Sequence, residues 1–299
     1  MTKMRFGKGS SASKQATAIV NQLRKDRVIP SIRTGQNYRQ ALNMVAEKAE
    51  QWGLPIIKNM TRTDAKQYLV QRSLEVGQST LNQERQALQM AMQHVSGQLA
   101  DGEKLTVVKT QKIEKTTSRF YSQEQIQAVR ERLGEKNKLS LDIANAAGLR
   151  ASELLTIRRL DEQQPDTRPT NTEKFTGRDG VQYVVTGKGG LVREVRLPAE
   201  LASKLESVRL DSPVRVNDRG IIYQSHYQLS GGHRFSAAFT AASNRMLGWS
   251  RGVHGVRHTY AQERLSELRS AGVDYNLALD TVSQEMGHFR SDITLVYLR

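Results

Sequence analysis

A few positions in this 299-residue chain combine side-chain types and spacings that could do chemistry on an anion. Arg150 follows Gly148-Leu149 and precedes Ala151-Ser152-Glu153. Lys188 stands between Gly187 and Gly189-Gly190. His254-Gly-Val-Arg257-His258 opens a helical pattern, so one turn brings an imidazole and a guanidinium to the same face. Gly287-His288 follows a further helical pattern, and Tyr297 comes nine residues after His288. A guanidinium stays charged and grips two oxygens in a fork. A lysine flanked by glycines can come close to a ligand backbone. Taken singly, each has a plain structural reading: a boundary arginine paired with Glu153, a solvated turn lysine, a histidine capping a helix, a packed tyrosine.

Composition narrows the partner. The chain has no cysteine, which removes disulfide scaffolds, zinc fingers, Fe–S ligation and thiol nucleophiles together. Neither DxD nor HExxH spacing occurs, although carboxylate-rich metal sites stay open. Lys and Arg number 45 against 30 Asp and Glu, for a net charge of +15. Residues 1–119 hold 20 of the cations and 9 of the anions, a net +11, so the excess basicity belongs to the N-terminal part. A basic solubility surface or a membrane-surface patch would also be basic. Here the cations spread over several predicted helices, which favours nucleic acid. With no run of about 18 apolar residues and no apolar stretch near the start, the expectation is a soluble, unexported protein of the cytoplasm, associated with DNA.

The elements that must position these residues fall into two groups. Residues 1–13 are Gly/Ser/Lys-rich and read as a flexible N-terminus. Helical patterns follow over 14–27, 36–52, 63–74 and 80–99, the last opening with a Thr80-x-x-Gln83 capping box, and 14–100 reads as a small helical domain. Residues 101–119 break the periodicity and read as an extended linker. A second domain, 120–299, opens at the capping box Ser122-x-x-Gln125, and its helix over 138–148 ends at Gly148. Val181–Thr186 and Leu191–Leu197 form a hairpin about the Lys188 turn, the only clear β signal. Helical patterns resume over 199–208, 234–247, 256–271, 275–286 and 291–298. Ile293, Leu295 and Val296 are available to pack the last segment, and Trp249 reads as core.

Together, GLR-x-x-E, a hairpin lysine, H-x-x-R-H, G-H and a following tyrosine resemble the tyrosine recombinase (phage integrase) family. The strongest blocks are AAGLRASELLTIR, HGVRHTYAQERL and EMGHFRSDITLVYLR, and the resemblance covers essentially the whole chain. It implies a mainly α fold with a small antiparallel β-sheet, arranged as a two-domain C-clamp of a helical core-binding domain and a catalytic domain. It implies a site-specific recombinase that cuts and rejoins double-stranded DNA through a 3′-phosphotyrosine, with no metal, ATP or other cofactor. The partners implied are specific recombination sites, a homotetramer on paired sites and a directionality factor, in the integration or excision of a mobile element. No membrane partner is implied.

Breaking a DNA phosphodiester gathers negative charge on a pentacoordinate phosphorus, which fixed cations can stabilise. Arg150 and Arg257 suit that task. The resemblance makes Tyr297 the nucleophile, His254 its base, Lys188 the acid for the departing 5′-oxygen and His288 a hydrogen-bond donor to phosphate. Glu153 and His258 would orient the arginines and the helix. His94, His226 and His233 match nothing in the pattern. The family pattern also implies a further C-terminal segment docking on a neighbouring protomer, whereas this sequence ends two residues after Tyr297. Two other readings stay open: a monomeric type IB topoisomerase using similar residues, and an inactive DNA-binding accessory protein of the same fold.

Overall fold

The computed structural model describes residues 11–113 and 118–298, in two units divided between Lys115 and Thr116. Most of the expected flexible N-terminus and residues 114–117 of the expected linker therefore lie outside the described residues. In the first unit, α1 (Ala12–Lys25) buries Ala16, Ile19, Val20 and Leu23, a stripe at three- and four-residue steps. Helix α2 (Ile32–Gln51) starts four residues before the apolar pattern does, because Ser31 caps it by accepting from the Thr34 amide. Helix α3 (Arg62–Arg72) begins with a Thr61–Asp64 capping box. Helix α4 (Gln78–Ala91) leads into a π turn over Met92–Ser96.

Two expectations for this unit need correction. The capping box at Thr80 does not form: the chain leaves extended geometry at Gly77, so Thr80 already lies inside α4. The stretch expected as a linker from residue 101 is extended but packed against the first unit as far as residue 112. Leu105 joins that unit's core, and the Thr110 hydroxyl and amide bond to the Val76 carbonyl and the Gln78 side chain.

The second unit starts with α5 (Gln123–Glu131), whose Ser122–Gln125 capping box forms in both directions, and α6 (Glu135–Ala147). A three-stranded antiparallel sheet follows, β1 (Arg158–Arg159), β2 (Val181–Thr186) and β3 (Val192–Leu197), with Thr186 opposite Val192 at the turn. After α7 (Ala199–Ser207) comes a hairpin the sequence reading did not anticipate, β4 (Arg209–Asp218) and β5 (Ile221–Tyr227). Its strands are too polar for a clear alternation. Its two-residue turn uses Arg219-Gly220, both at positive φ, where Asn-Gly or Asp-Gly is the common signal.

Four helices complete the unit: α8 (Gly232–Leu247), α9 (His254–Ser270), α10 (Tyr275–Glu285) and the short α11 (Ser291–Thr294). A 3-10 turn over Leu295–Leu298 follows. The main core gathers Leu141, Val185, Val195, Phe235 and Phe239, while Tyr260, Val282, Met286 and Tyr297 form a second cluster between α9, α10 and the last turn. Trp249 is not core. It stands half-exposed with its ring stacked on Tyr121 at 5.3 Å, between α8 and α9. Among the described residues, no helix is long and apolar enough to cross a membrane.

Candidate active site

Three chain reversals carry the candidate residues to one place in the second unit. Helix α6 ends at Gly148 with φ +57, and a Cβ there would come within 2.6 Å of the Tyr260 ring. That tight, left-handed turn buries Leu149 and releases Arg150. Three residues on, Glu153 accepts from the Arg150 amide at 2.8 Å and from its Nη1 at 2.6 Å. Helix α9 begins at His254, and Gly255 lets it pack flush on Tyr121, where a Cβ would meet the ring at 2.5 Å. After α10, Gly287 turns the chain at φ +72, and His288 closes the turn by donating its amide to the Ser283 carbonyl.

Arg257 lies at the centre and is 1% exposed. Its Nη1 donates to the Gly148 carbonyl, and its Nη2 to the Met286 carbonyl and, at 3.1 Å, to His288 Nε2. One guanidinium thus ties the Arg150 turn to the His288 turn. Because arginine can only donate, His288 Nε2 is the acceptor here. In that tautomer the ring proton is on Nδ1, which stands 3.4 Å from the Thr294 hydroxyl, so the donation from His288 to phosphate expected from the resemblance would come from Nδ1. The ring of Tyr297 sits 5.6 Å from the Arg257 guanidinium, 5.3 Å from His254, 4.6 Å from His258 and 5.0 Å from His288. Gln262 holds the Tyr297 carbonyl at 3.2 Å. The last segment packs through Ile293, Thr294 and Leu298, whereas Leu295 and Val296, expected to pack it, face outward at nearly half exposure.

Lys188 lies at the hairpin turn, and its side chain is outside the described atoms. The turn itself reaches the site. A Cβ on Gly187 would lie 3.1 Å from Glu153 Oε1 and 3.8 Å from Arg150 Nη1. His94, His226 and His233 are elsewhere: His94 in the first unit, His226 with Arg158 and Glu162, His233 with Arg219.

The sequence reading passed over Arg193 on β3. It is 3% exposed, donates to Glu153 Oε2 at 2.8 Å and bonds to the Glu285 carbonyl. A signal for it existed: alternation puts Arg193 on the same strand face as Val195 and Leu197, which is the buried one. Three guanidiniums, Arg150, Arg193 and Arg257, thus surround the single carboxylate of Glu153. Burial alone would raise that carboxyl, but the arginines outweigh it and hold its pKa at about 2. Behind the site, Glu285 is fully enclosed and accepts from Tyr260, Arg264 and the Phe175 amide, which fixes the end of α10.

The electrostatics favour an anion. Burial lowers Arg257 to about 10, which still leaves it charged at neutral pH. Burial, and then the nearby guanidiniums, lower His288 to about 3. His254, exposed at one edge but enclosed on its inner side, is lowered to about 4 by desolvation first and Arg257 second. His258 is lowered to about 4, chiefly by burial. The imidazoles are therefore neutral at pH 7 and can accept a proton, while the arginines keep a net positive field.

No protein-family model and no curated protein matches the chain. Solved structures do. The XerH site-specific recombinase bound to its difH substrate superposes with a TM-score of 0.53 at 17% identity, over 98% of this chain and 82% of that one. The Tn1549 transposon integrase in complex with transposon right end DNA gives 0.56 at 14% identity, over 95% and 94%. A lambda integrase dimer bound to a COC′ core site gives 0.56 at 16% identity, over 94% and 76%. At these identities the likeness is one of fold, and on that ground the chain has the fold of the tyrosine recombinases.

Proposed function

We propose that the chain is a site-specific DNA recombinase working as a strand transferase, with Tyr297 as its nucleophile. The observation that carries this reading is the convergence of His254, His288 and the Arg257 guanidinium on Tyr297, each within 5.6 Å of its ring. In the reaction, Tyr297 Oη bonds to a backbone phosphorus and the P–O5′ bond breaks. The phenolic proton passes to His254, and Lys188 supplies a proton to the departing 5′-oxygen. Arg150 and Arg257 hold the two non-bridging oxygens as charge builds. The products are a 3′-phosphotyrosine and a free 5′-hydroxyl. The ester retains the bond energy, so a 5′-hydroxyl from another strand can reverse the step without ATP.

The arginine-rich centre supports this reading, since a fork of donors suits the two equatorial oxygens better than a point charge does. The basic first unit, with its own core, supports duplex DNA as the substrate. Exchange between two duplexes calls for paired sites and a homotetramer, and a directionality factor would set integration against excision of a mobile element. The test is covalent capture on nicked duplexes drawn from a random-sequence pool. The expected product is protein joined to a 3′ end, leaving a 5′ end that a polynucleotide kinase can label. Hydrolysis without any protein-linked strand would contradict the reading.

A further inference from the structure

We propose that Arg193 is a positioning residue for the leaving-group step, holding the Gly187–Leu191 turn that carries Lys188 against the rest of the site. The proposal rests on the reading of Lys188 as the acid given above. Arg193 is the second residue of β3, immediately after that turn. Its guanidinium reaches two separate elements, Glu153 at 2.8 Å and the Glu285 carbonyl at the end of α10. Gly287 makes room for it: a Cβ there would press on Arg193 Cδ at 2.7 Å. The absence of a side chain at Gly287 therefore serves Arg193 as well as the turn before His288.

The other two elements keep ties of their own. Glu153 retains two bonds from Arg150, and the α10 end retains Arg257 on the Met286 carbonyl and the Glu285 network. The far side of the turn, at β2, is anchored by Thr156 to the Thr186 amide and carbonyl. At β3, the Val192 carbonyl accepts from the Asp166 amide at 2.9 Å and Glu194 pairs with Lys174 at 2.7 Å, but the side chain that ties the strand to Glu153 and the α10 end is Arg193. Losing its fork would leave Arg150 and Arg257 in place and free the turn. The effect should therefore fall on protonation of the 5′-oxygen more than on charge stabilisation at phosphorus.

Arg193→Lys tests this, because it keeps the charge but cannot reach both acceptors at once. The substrate is a duplex recovered by covalent capture from the random-sequence pool, prepared with either oxygen or sulfur at the bridging 5′ position. Sulfur leaves without a proton. Arg193→Lys should cleave the oxygen substrate about a hundredfold more slowly than the unaltered protein, the scale of a small misplacement. On the sulfur substrate it should come within about threefold, with DNA affinity unchanged. Amides 186–192 should exchange faster while α9 and α10 stay protected.

Lys188→Ala is the control. If sulfur rescues Lys188→Ala but not Arg193→Lys or Arg193→Gln, Arg193 acts elsewhere and the proposal is overturned. If sulfur fails to rescue Lys188→Ala, the reading of Lys188 falls and the proposal with it. Global unfolding of both Arg193 variants, seen as loss of the thermal transition, would also overturn it, since the residue would then hold the domain rather than the turn.

Discussion

Arg150 and Arg257 share a chemical task in the proposed reaction but stand in different surroundings, and their removal should differ accordingly. The Arg150 side chain is about one-quarter exposed and its loss leaves Glu153 paired with Arg193. Arg257 is enclosed and satisfies the Gly148 and Met286 carbonyls. Both alanine variants should lose cleavage by roughly 10²–10³-fold or more with modest loss of DNA affinity. Only Arg257→Ala should also lower stability, by about 1–3 kcal/mol for each buried carbonyl left unpaired, and with it the thermal midpoint. Parallel single-turnover and melting measurements check both halves. The histidines give a pH prediction. They are held near 4, 4 and 3 in the folded chain, whereas unfolded histidine titrates near about 6.5. As pH falls through that window the unfolded state takes up protons that the folded state does not, so stability is full above about 6.5 and declines down to about 3. Glu153, held at about 2, acts in the same direction at lower pH. A thermal midpoint that rises on acidification from neutrality would contradict imidazoles held neutral in the folded chain.

At the level of elements, the last turn is the piece that must move. Tyr297 is 7% exposed and its ring lies against Arg257, whose Nη1 and Nη2 face protein acceptors. In the proposed reaction a DNA phosphate meets Arg257 once α11 and the Leu295–Leu298 turn shift. Tyr297→Ala removes the covering ring and should bind DNA at least as tightly as Tyr297→Phe, which keeps it. Weaker binding by the alanine variant in a competition assay would show that the ring does not cover the phosphate site. The sequence made most of these elements legible because their boundaries carry strong local chemistry: Ser122–Gln125, Gly148, and the glycine turn about Lys188. It misled where tertiary packing overrode local signals. Thr80 had the pattern of a cap but sits within α4. Leu295 and Val296 had the composition of packing residues but face outward, because Tyr297 and Leu298 take the inner side of a 3-10 turn. Arg193 was hidden because a charged residue on a polar strand reads as solvated, and only its alternation with Val195 marks it as buried. The β4–β5 hairpin was missed for want of an apolar face.

For the whole molecule, charge and core are distributed differently. Each unit has its own apolar core, while +11 of the net +15 charge lies before residue 120. The first unit should therefore supply much of the non-specific affinity. In separate titrations of residues 1–115 and 116–299, log affinity should fall with log salt at about −0.9 per phosphate neutralised, more steeply for the first. If residues 116–299 alone reproduce the slope of the intact chain, that division of labour is wrong. With charge stabilisation assigned to arginines, a chelator should leave cleavage unchanged, and an absolute need for Mg²⁺ would contradict that assignment. The most direct test of the central claim is to trap the covalent complex on a nicked duplex, digest it and map the DNA-linked peptide by mass spectrometry. The adduct should lie on Tyr297, and Tyr297→Phe should bind DNA yet form none. The Tyr121 hydroxyl accepts from the Arg251 amide and meets the Ser243 hydroxyl, and Tyr260 donates to Glu285, so neither hydroxyl is set for attack. A DNA-linked peptide carrying Tyr121, Tyr223 or Tyr260 in place of Tyr297 would contradict the account.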